Sequence, residues 1–345
     1  MLKRLLLGVA KTGRTETLEE YYHQKGDASV LTVIGQSTWS VPDRSYMHRW
    51  TKEGCLIRQL KSCHIHYKPY IWLRWFWNVI TNLEGRYDEC IAVSQSFGFI
   101  GTILKRLGIV KRLTYYCIDF YNNEPIVEWM DAAVCKNADE VWDISERIDL
   151  RRKKTANPKI VPLSFTEAHL SPPRGDFSPY RLVFVGCLMP NQGLDLLCRA
   201  FPLILEKHPN AHAWIIGDGS YAETLREMKK GLPISMMGFI DDEKEVCRLL
   251  STGAIGLAMF TLKGNSNILC ADPGKIKLYA MCGLPVITTR HYKYDFGMMV
   301  DETPEALADT VDYLFSNPEH LMELRKRSYE WGKQFTTTEV MKKIQ

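Results

Sequence analysis

The sequence predicts an α/β protein of two doubly wound domains, and three observations carry that prediction. Short apolar runs of strand length recur along the whole chain, most of them end in glycine or a small polar residue, and helical patterns separate them. Parallel strands joined by crossover helices hold their ligand beyond the carboxyl ends of the strands.

The first strand is Leu5 to Ala10, with Gly13 in the loop that follows. Residues 54–83 contain no acidic residue but hold Arg58, Lys61, Lys68 and Arg74 among Tyr67, Tyr70, Trp72, Trp75, Phe76 and Trp77. Basic side chains in an aromatic-rich amphipathic segment suit an acceptor-binding or membrane-interface surface, for which Arg58, Lys61, Lys68, Trp72, Arg74 and Trp75 are the candidates. The same YIWLRWFWNVI run equally fits one buried helix. Glu89 to Val93 is the next strand, ending in Ser94-Gln95-Ser96; Gly98 to Leu107 is a helix; Arg112 to Ile118 is a strand ending in Asp119; Val141 to Ile144 is a strand ending in Ser145. His64 and His66 belong to a surface strand, since no third metal ligand accompanies them.

Pro, Gly and Ser concentrate in SFTEAHLSPPRGDFSP at residues 164–179, which sets the domain boundary there. The domains are 1–168, 169–325 and a closing helix, 326–345, that carries Trp331 and Phe335 and packs back on the first domain. Residues 1–165 hold 24 Lys/Arg against 18 Asp/Glu, net +6; residues 166–345 hold 20 against 22, net −2; together these give the +4 of the 345-residue chain. The positive charge therefore belongs to the first half.

In the second half, Leu182 to Val185 is a strand ending in Gly186, and a helical pattern begins at Gly193, past Asn191 and Gln192. A small-residue turn at a helix N-terminus favours phosphate. AHAWII then leads to Gly217-Asp218-Gly219, PISMM to Gly238-Phe239-Ile240, and Glu243 to Leu250 is a helix before the strand GAIGLAMF. Asp272, Pro273 and Gly274 open a helix with Lys275 and Lys277 in its first turn and Tyr279 beyond; it stops at Cys282-Gly283, and Leu284 to Thr288 is another buried strand. Lysines there reach a diphosphate or form a solvated face; Tyr279 is equally a core residue.

Read together, RLVFVGCLMPNQGL, AHAWIIGDG, GFIDD and DPGKIKLYAMCGLPVI resemble the C-terminal domain of GT-B glycosyltransferases, closely over residues 180–300. The DPxKxxxY arrangement resembles bacterial polysaccharide enzymes of the family 4 and xanthan glucuronosyltransferase type, and LTYYCIDFY with ADEVWDIS is a looser match to their acceptor domain. The resemblance implies two Rossmann-like domains facing a central cleft. It further implies that Gly238, Phe239 and Ile240 offer backbone groups to the base, and that Asp218, Gly219, Pro273, Gly274 and Lys275 line the nucleotide. The donor set is thus Gly186, Asn191, Gln192, Gly193, Gly217, Asp218, Gly219, Gly238, Phe239, Ile240, Asp272, Pro273, Gly274, Lys275, Lys277 and Tyr279. Two departures stand out: the usual Arg and Lys of the first loop are Cys187 and Gln192, and the usual Glu pair is Cys270 and Leu278.

Sugar transfer needs a base for the acceptor hydroxyl. Asp119 is the candidate, implying inversion, with His169 and Glu124 behind it; its bland alternative is a helix cap. No DxD stands near a strand end, so the expectation is no metal and no cofactor beyond the nucleotide-sugar, with UDP favoured by the resemblance. The expected partners are that donor and a saccharide or glycolipid acceptor, with peripheral membrane contact and no nucleic acid, since the pI is about 8.4 and no nucleic-acid motif is present. Ten cysteines without a CxxC pair read as thiols of a reducing cytoplasm, the expected location, with or without attachment to the inner face of the cytoplasmic membrane. Two other readings stay open: a non-catalytic GT-B scaffold or partner protein, and a nucleotide-sugar epimerase or phosphorylase on the same fold. A dinucleotide oxidoreductase is disfavoured because no GxGxxG follows the first strand.

Overall fold

A computed structural model describes residues 2–9, 15–27, 29–35, 45–51, 53–60, 68–119, 124–152, 157–173, 175–261, 273–289 and 294–344. The chain forms two compact units, residues 1–164 with 340–345, and residues 165–268 with 273–339.

Unit 1 is built on eight strands: β1 (Lys3–Val9), β2 (Ser29–Gly35), β3 (Tyr46–Thr51), β4 (Gly54–Gln59), β5 (Tyr87–Val93), β6 (Val110–Cys117), β7 (Glu140–Asp143) and β8 (Lys159–Ile160), in the order β4-β3-β2-β1-β5-β6-β7-β8. Its helices are α1 (Thr15–Gln24), α2 (Lys68–Ile80), α3 (Gln95–Arg106), α4 (Pro125–Asn137) and α5 (Glu146–Arg151). Pairing is parallel from β2 through β8, as near-continuous apolar strands such as Leu5-Leu6-Leu7 and Cys90-Ile91-Ala92-Val93 require, because helices cover both faces. The sequence pattern did not reveal β3 and β4, an antiparallel hairpin at the sheet edge that turns through Gly54 at φ 135°. Both strands mix polar and apolar residues, and β4 is largely exposed, so neither carries the buried-strand signature.

The sheet is braced by a buried charge network. Arg152 contacts Asp131 of α4 at 2.7 Å and Asp143 of β7 at 2.6 Å, and the Tyr115 hydroxyl donates to Asp131 at 2.6 Å. Removing one partner of such a network strands a buried charge, a loss of about 3–5 kcal/mol.

Unit 2 contains β9 (Arg181–Val185), α6 (Leu194–Lys207), β10 (His212–Ile216), α7 (Ala222–Met228), β11 (Ile234–Gly238), α8 (Glu243–Ser251), β12 (Ile255–Ala258), α9 (Gly274–Met281), β13 (Val286–Thr288), β14 (Gly297–Met299), α10 (Pro304–Ser316) and α11 (Pro318–Gly332). Its parallel sheet runs β11-β10-β9-β12-β13-β14. Val185 pairs with Ile216, and Ile216 with Gly238, so three strands end at one level and release their loops side by side.

The segment after residue 325 is divided between the units. Trp331 and Phe335 have ring centroids 4.4 Å apart with their planes tilted at 53°, and pack with Tyr294 and Phe296 inside unit 2, where Gly332 lies against Ala280 and Met281. In α12 (Thr337–Lys342), Val340 and Met341 join the unit 1 core with Leu6, Tyr116 and Ile148. Among the described residues no helix is long and apolar enough to cross a membrane.

Candidate functional site

The loops after β9, β10 and β11 are held together by main chain. Gly186 N–H donates to Ile216 O at 3.0 Å, Gly217 N–H to Gly238 O at 2.8 Å, Leu188 N–H to Asp218 O at 3.0 Å, and Tyr221 N–H to Leu188 O at 3.0 Å. The Asp218 carboxylate accepts from Gly219 N–H at 2.8 Å and fixes the turn. Glycine is obligatory at position 217, where φ is 137° and a Cβ would stand 2.0 Å from Gly186 O. Gly193 ends the first loop at φ 67°, and a Cβ there would stand 2.1 Å from Met259 O. Buried Asn191 ties this loop to the end of β12 by accepting from Thr261 N–H at 3.0 Å. Beyond Gly238, Phe239 is exposed and Ile240 half-buried.

Helix α9 sends its two lysines to different places. Residues two apart lie on opposite faces of a helix. Half-buried Lys275 turns to the first loop: its Nζ donates to Gln192 Oε1, lies 4.0 Å from the centroid of the Phe184 ring, and would stand 3.3 Å from a Cβ on Gly186. No described carboxylate pairs with it. Desolvation drives its pKa down to about 7, with the Cys187 thiol opposing. A cation brought from α9 thus stands in the loop whose own position 192 carries only an amide.

Lys277, expected beside a diphosphate, is instead fully buried, with its Nζ 4.9 Å from the centroid of the Phe335 ring. Tyr279 is likewise buried in the core. Its hydroxyl donates to Leu257 O at 3.0 Å, accepts from Val185 N–H at 2.9 Å, and so bridges β12 and β9 beneath the loops. Asp272 lies outside the described residues; Pro273 and Gly274, both half-buried, begin α9.

In unit 1, β5 and β6 end in register, Val93 opposite Tyr116. Asp119 follows β6 as a half-buried residue, and no described residue donates to its carboxylate, so desolvation raises its pKa to about 6. Next to it, Ser94 is the one non-glycine residue with positive φ among the described residues, at φ 75° and ψ 162°. Such backbone costs about 1–3 kcal/mol and persists where surrounding contacts enforce it. Here Ser94 N–H donates to Tyr116 O at 2.9 Å and Ser94 O accepts from Gly98 N–H at 2.9 Å. The sequence places the turn at Ser94-Gln95-Ser96 but not its strain, which only the dihedral reveals.

The two lesser base candidates have structural roles. His169 Nε2 meets Glu243 Oε2 at 2.6 Å and its Nδ1 lies 3.0 Å from Thr166 Oγ1, fastening the linker to α8. Glu124 precedes α4, where its carbonyl accepts from Val127 N–H at 2.9 Å.

The aromatic helix α2 is amphipathic in an unexpected sense. Trp75 faces inward, stacked on Phe97 at 4.9 Å, and Trp72 and Arg74 are half-buried. The outward stripe is Tyr70, Leu73 and Trp77, each more than half exposed at helical spacing. Arg58 is exposed on β4; Lys61, His64 and His66 lie outside the described residues, as does the Lys68 side chain.

Residues 179–317 match the family Glycosyl transferases group 1. A GDP-mannose-dependent alpha-(1-6)-phosphatidylinositol dimannoside mannosyltransferase of Mycobacterium tuberculosis is 29% identical over 143 residues, 40% of this chain. The match spans 36% of that relative, so the chain covers about a third of the length of the curated relatives it matches. Among solved structures, Anabaena HepE in complex with UDP superposes with a TM-score of 0.67 at 13% identity, covering 99% of this chain and 98% of that one. The lipopolysaccharide outer core galactosyltransferase WaaB, in apo form, gives 0.59 at 15% identity, covering 99% and 98%. Both likenesses concern the fold. The chain has the GT-B fold of two Rossmann-like domains, and its residues 179–317 are similar to the group 1 glycosyl transferases.

Proposed function

We propose that this chain transfers a sugar from a nucleoside-diphosphate donor, UDP-sugar favoured, to a hydroxyl of a saccharide acceptor that is lipid-linked or a polysaccharide precursor. The observation that carries the reading is Lys275: a desolvated amine with no carboxylate partner among the described residues, set among Gly186, Gln192 and Cys187 at the end of β9. A desolvated amine without a countercharge holds its proton weakly, and a diphosphate is a partner that would restore it. Positioned charge of this kind stabilises the leaving nucleotide as it departs. Lys275 and the helix N-termini supply that charge without a metal ion. The base is favoured as uridine by the UDP-bound HepE neighbour, although the mannosyltransferase relative is GDP-mannose-dependent.

Asp119 is proposed as the general base. A carboxyl with a pKa of about 6 is ionised at neutral pH yet basic enough to take the acceptor proton, and a single displacement assisted in this way inverts the anomeric centre. The Tyr70, Leu73 and Trp77 stripe beside Arg74 supports a peripheral role on the inner face of the cytoplasmic membrane, where a lipid-linked acceptor is presented.

A thermal-shift titration with UDP, GDP and their sugars, with and without Mg²⁺, tests the donor assignment. The expected result is a metal-independent rise in Tm with one nucleotide, lost in Lys275→Ala. No rise with any nucleotide would leave a non-catalytic GT-B scaffold as the better account.

A further inference from the structure

We propose that Gln95 is a positioning residue for Asp119, delivered to its place by the strained turn at Ser94. This rests on the reading of Asp119 as the base.

The left-handed backbone at Ser94 turns the chain from β5 into α3 within one residue, which seats Gln95, the first residue of α3, in a buried place over the end of β6. There its carboxamide nitrogen donates to Asp119 O at 2.5 Å and approaches Cys117 Sγ at 3.5 Å. The identity of the facing atom follows from chemistry: a main-chain carbonyl only accepts, so the amide must present its nitrogen. The Cys117 thiol also approaches Asp119 O, at 3.5 Å. Two donors therefore converge on the main chain of Asp119 while its carboxylate has no described donor at all. The Gln95 amide fixes where the Asp119 side chain originates and leaves its oxygens available to an acceptor hydroxyl. A Gln at this place supplies that anchor without adding charge, which would draw the carboxylate away from its desolvated state.

The test compares wild type, Gln95→Met and Asp119→Asn, each labelled with ¹³C at the aspartate carboxyl; the Asn variant assigns the resonance. In wild type the Asp119 carboxyl is expected to titrate near pH 6. Gln95→Met keeps the side-chain length and removes the donor, so the midpoint is expected to fall by about one unit as the freed main chain lets the carboxylate reach water. With the donor found by thermal shift, kcat is expected to fall roughly 10- to 100-fold at unchanged donor KM. An Asp119 midpoint in folded Gln95→Met equal to that of wild type overturns the proposal. Should Gln95→Met fail to fold, Gln95→Asn, one methylene too short to reach, is read the same way. Full turnover by Asp119→Asn removes the base assignment instead, and the titration still decides whether Gln95 controls Asp119.

Discussion

The loop cluster of unit 2 and the β5–β6 ends of unit 1 solve the same problem with opposite materials. Both lie past the carboxyl ends of parallel strands, where such sheets present ligands. At the first, main chain makes the surface: Gly186, Gly217 and Gly238 stand side by side, and the cation, Lys275, comes from another helix. At the second, side chains make it: Gln95 and Cys117 hold the backbone of Asp119 beside a strained serine. At the first an added atom is what disrupts, as a Cβ on Gly217 would 2.0 Å from Gly186 O, and at the second a removed one.

The contrast is broken most severely at Asp119. Asp119→Asn is expected to lower kcat by about 10²–10⁴-fold with donor binding intact. The same change is expected to stabilise the protein. The folded-state pKa of about 6 lies above the unfolded value of about 4, so burial is neutral below about pH 4, costs stability as pH rises towards 6, and is constant above. Urea denaturation at pH 7.5 is expected to show a gain of up to about 3 kcal/mol for the Asn variant, absent at pH 4. Loss of activity without that gain would mean that Asp119 is solvated.

Gly217→Ala probes the glycine side. Its Cβ meets Gly186 O at 2.0 Å on a backbone that L residues avoid, so the loops must separate. The expected outcome is a loss of about 2–4 kcal/mol and of nucleotide-dependent stabilisation, read by denaturation with and without UDP. An unchanged protein would show that the loops yield.

Lys275 gives a smaller, distinctive signal. With a pKa near 7 it is partly neutral before ligand arrives, and a diphosphate restores its proton. Calorimetry of UDP binding at pH 8 in two buffers of different ionisation enthalpy is expected to report uptake of up to about one proton, abolished in Lys275→Met together with about 10- to 100-fold in affinity. Lowering the pH to 6 removes the uptake, because the amine is then already charged.

The mildest expectation separates architecture from chemistry. Tyr279→Phe unpairs Leu257 O and Val185 N–H at the root of the loops, at a cost of about 1–3 kcal/mol, with nucleotide affinity per folded molecule unchanged. A selective loss of affinity would return Tyr279 to the ligand site.

Much of the fold was legible because it is written locally. Apolar runs closed by Gly186, Gly217 and Gly238 gave strands and loops together, and the charge-capped start of α8 at Asp242 is readable in four residues. The edge hairpin was not, since its polar-apolar mix has no strong period and β4 is largely exposed, and the outward stripe of Tyr70, Leu73 and Trp77 on α2 was not picked out because aromatic content does not say which side faces water.

By itself the sequence determined the class of the fold, the strand ends and the residue types in the loops that follow them, because periodicity and turn chemistry act within a few residues. Tertiary structure alone decided that Lys275 serves the β9 loop while Lys277 is buried against Phe335, that Tyr279 ties strands, and that Gln95 reaches Asp119. Those outcomes depend on which helix face meets which strand end, and contacts between residues 22 to 94 positions apart are set by packing that no local pattern records.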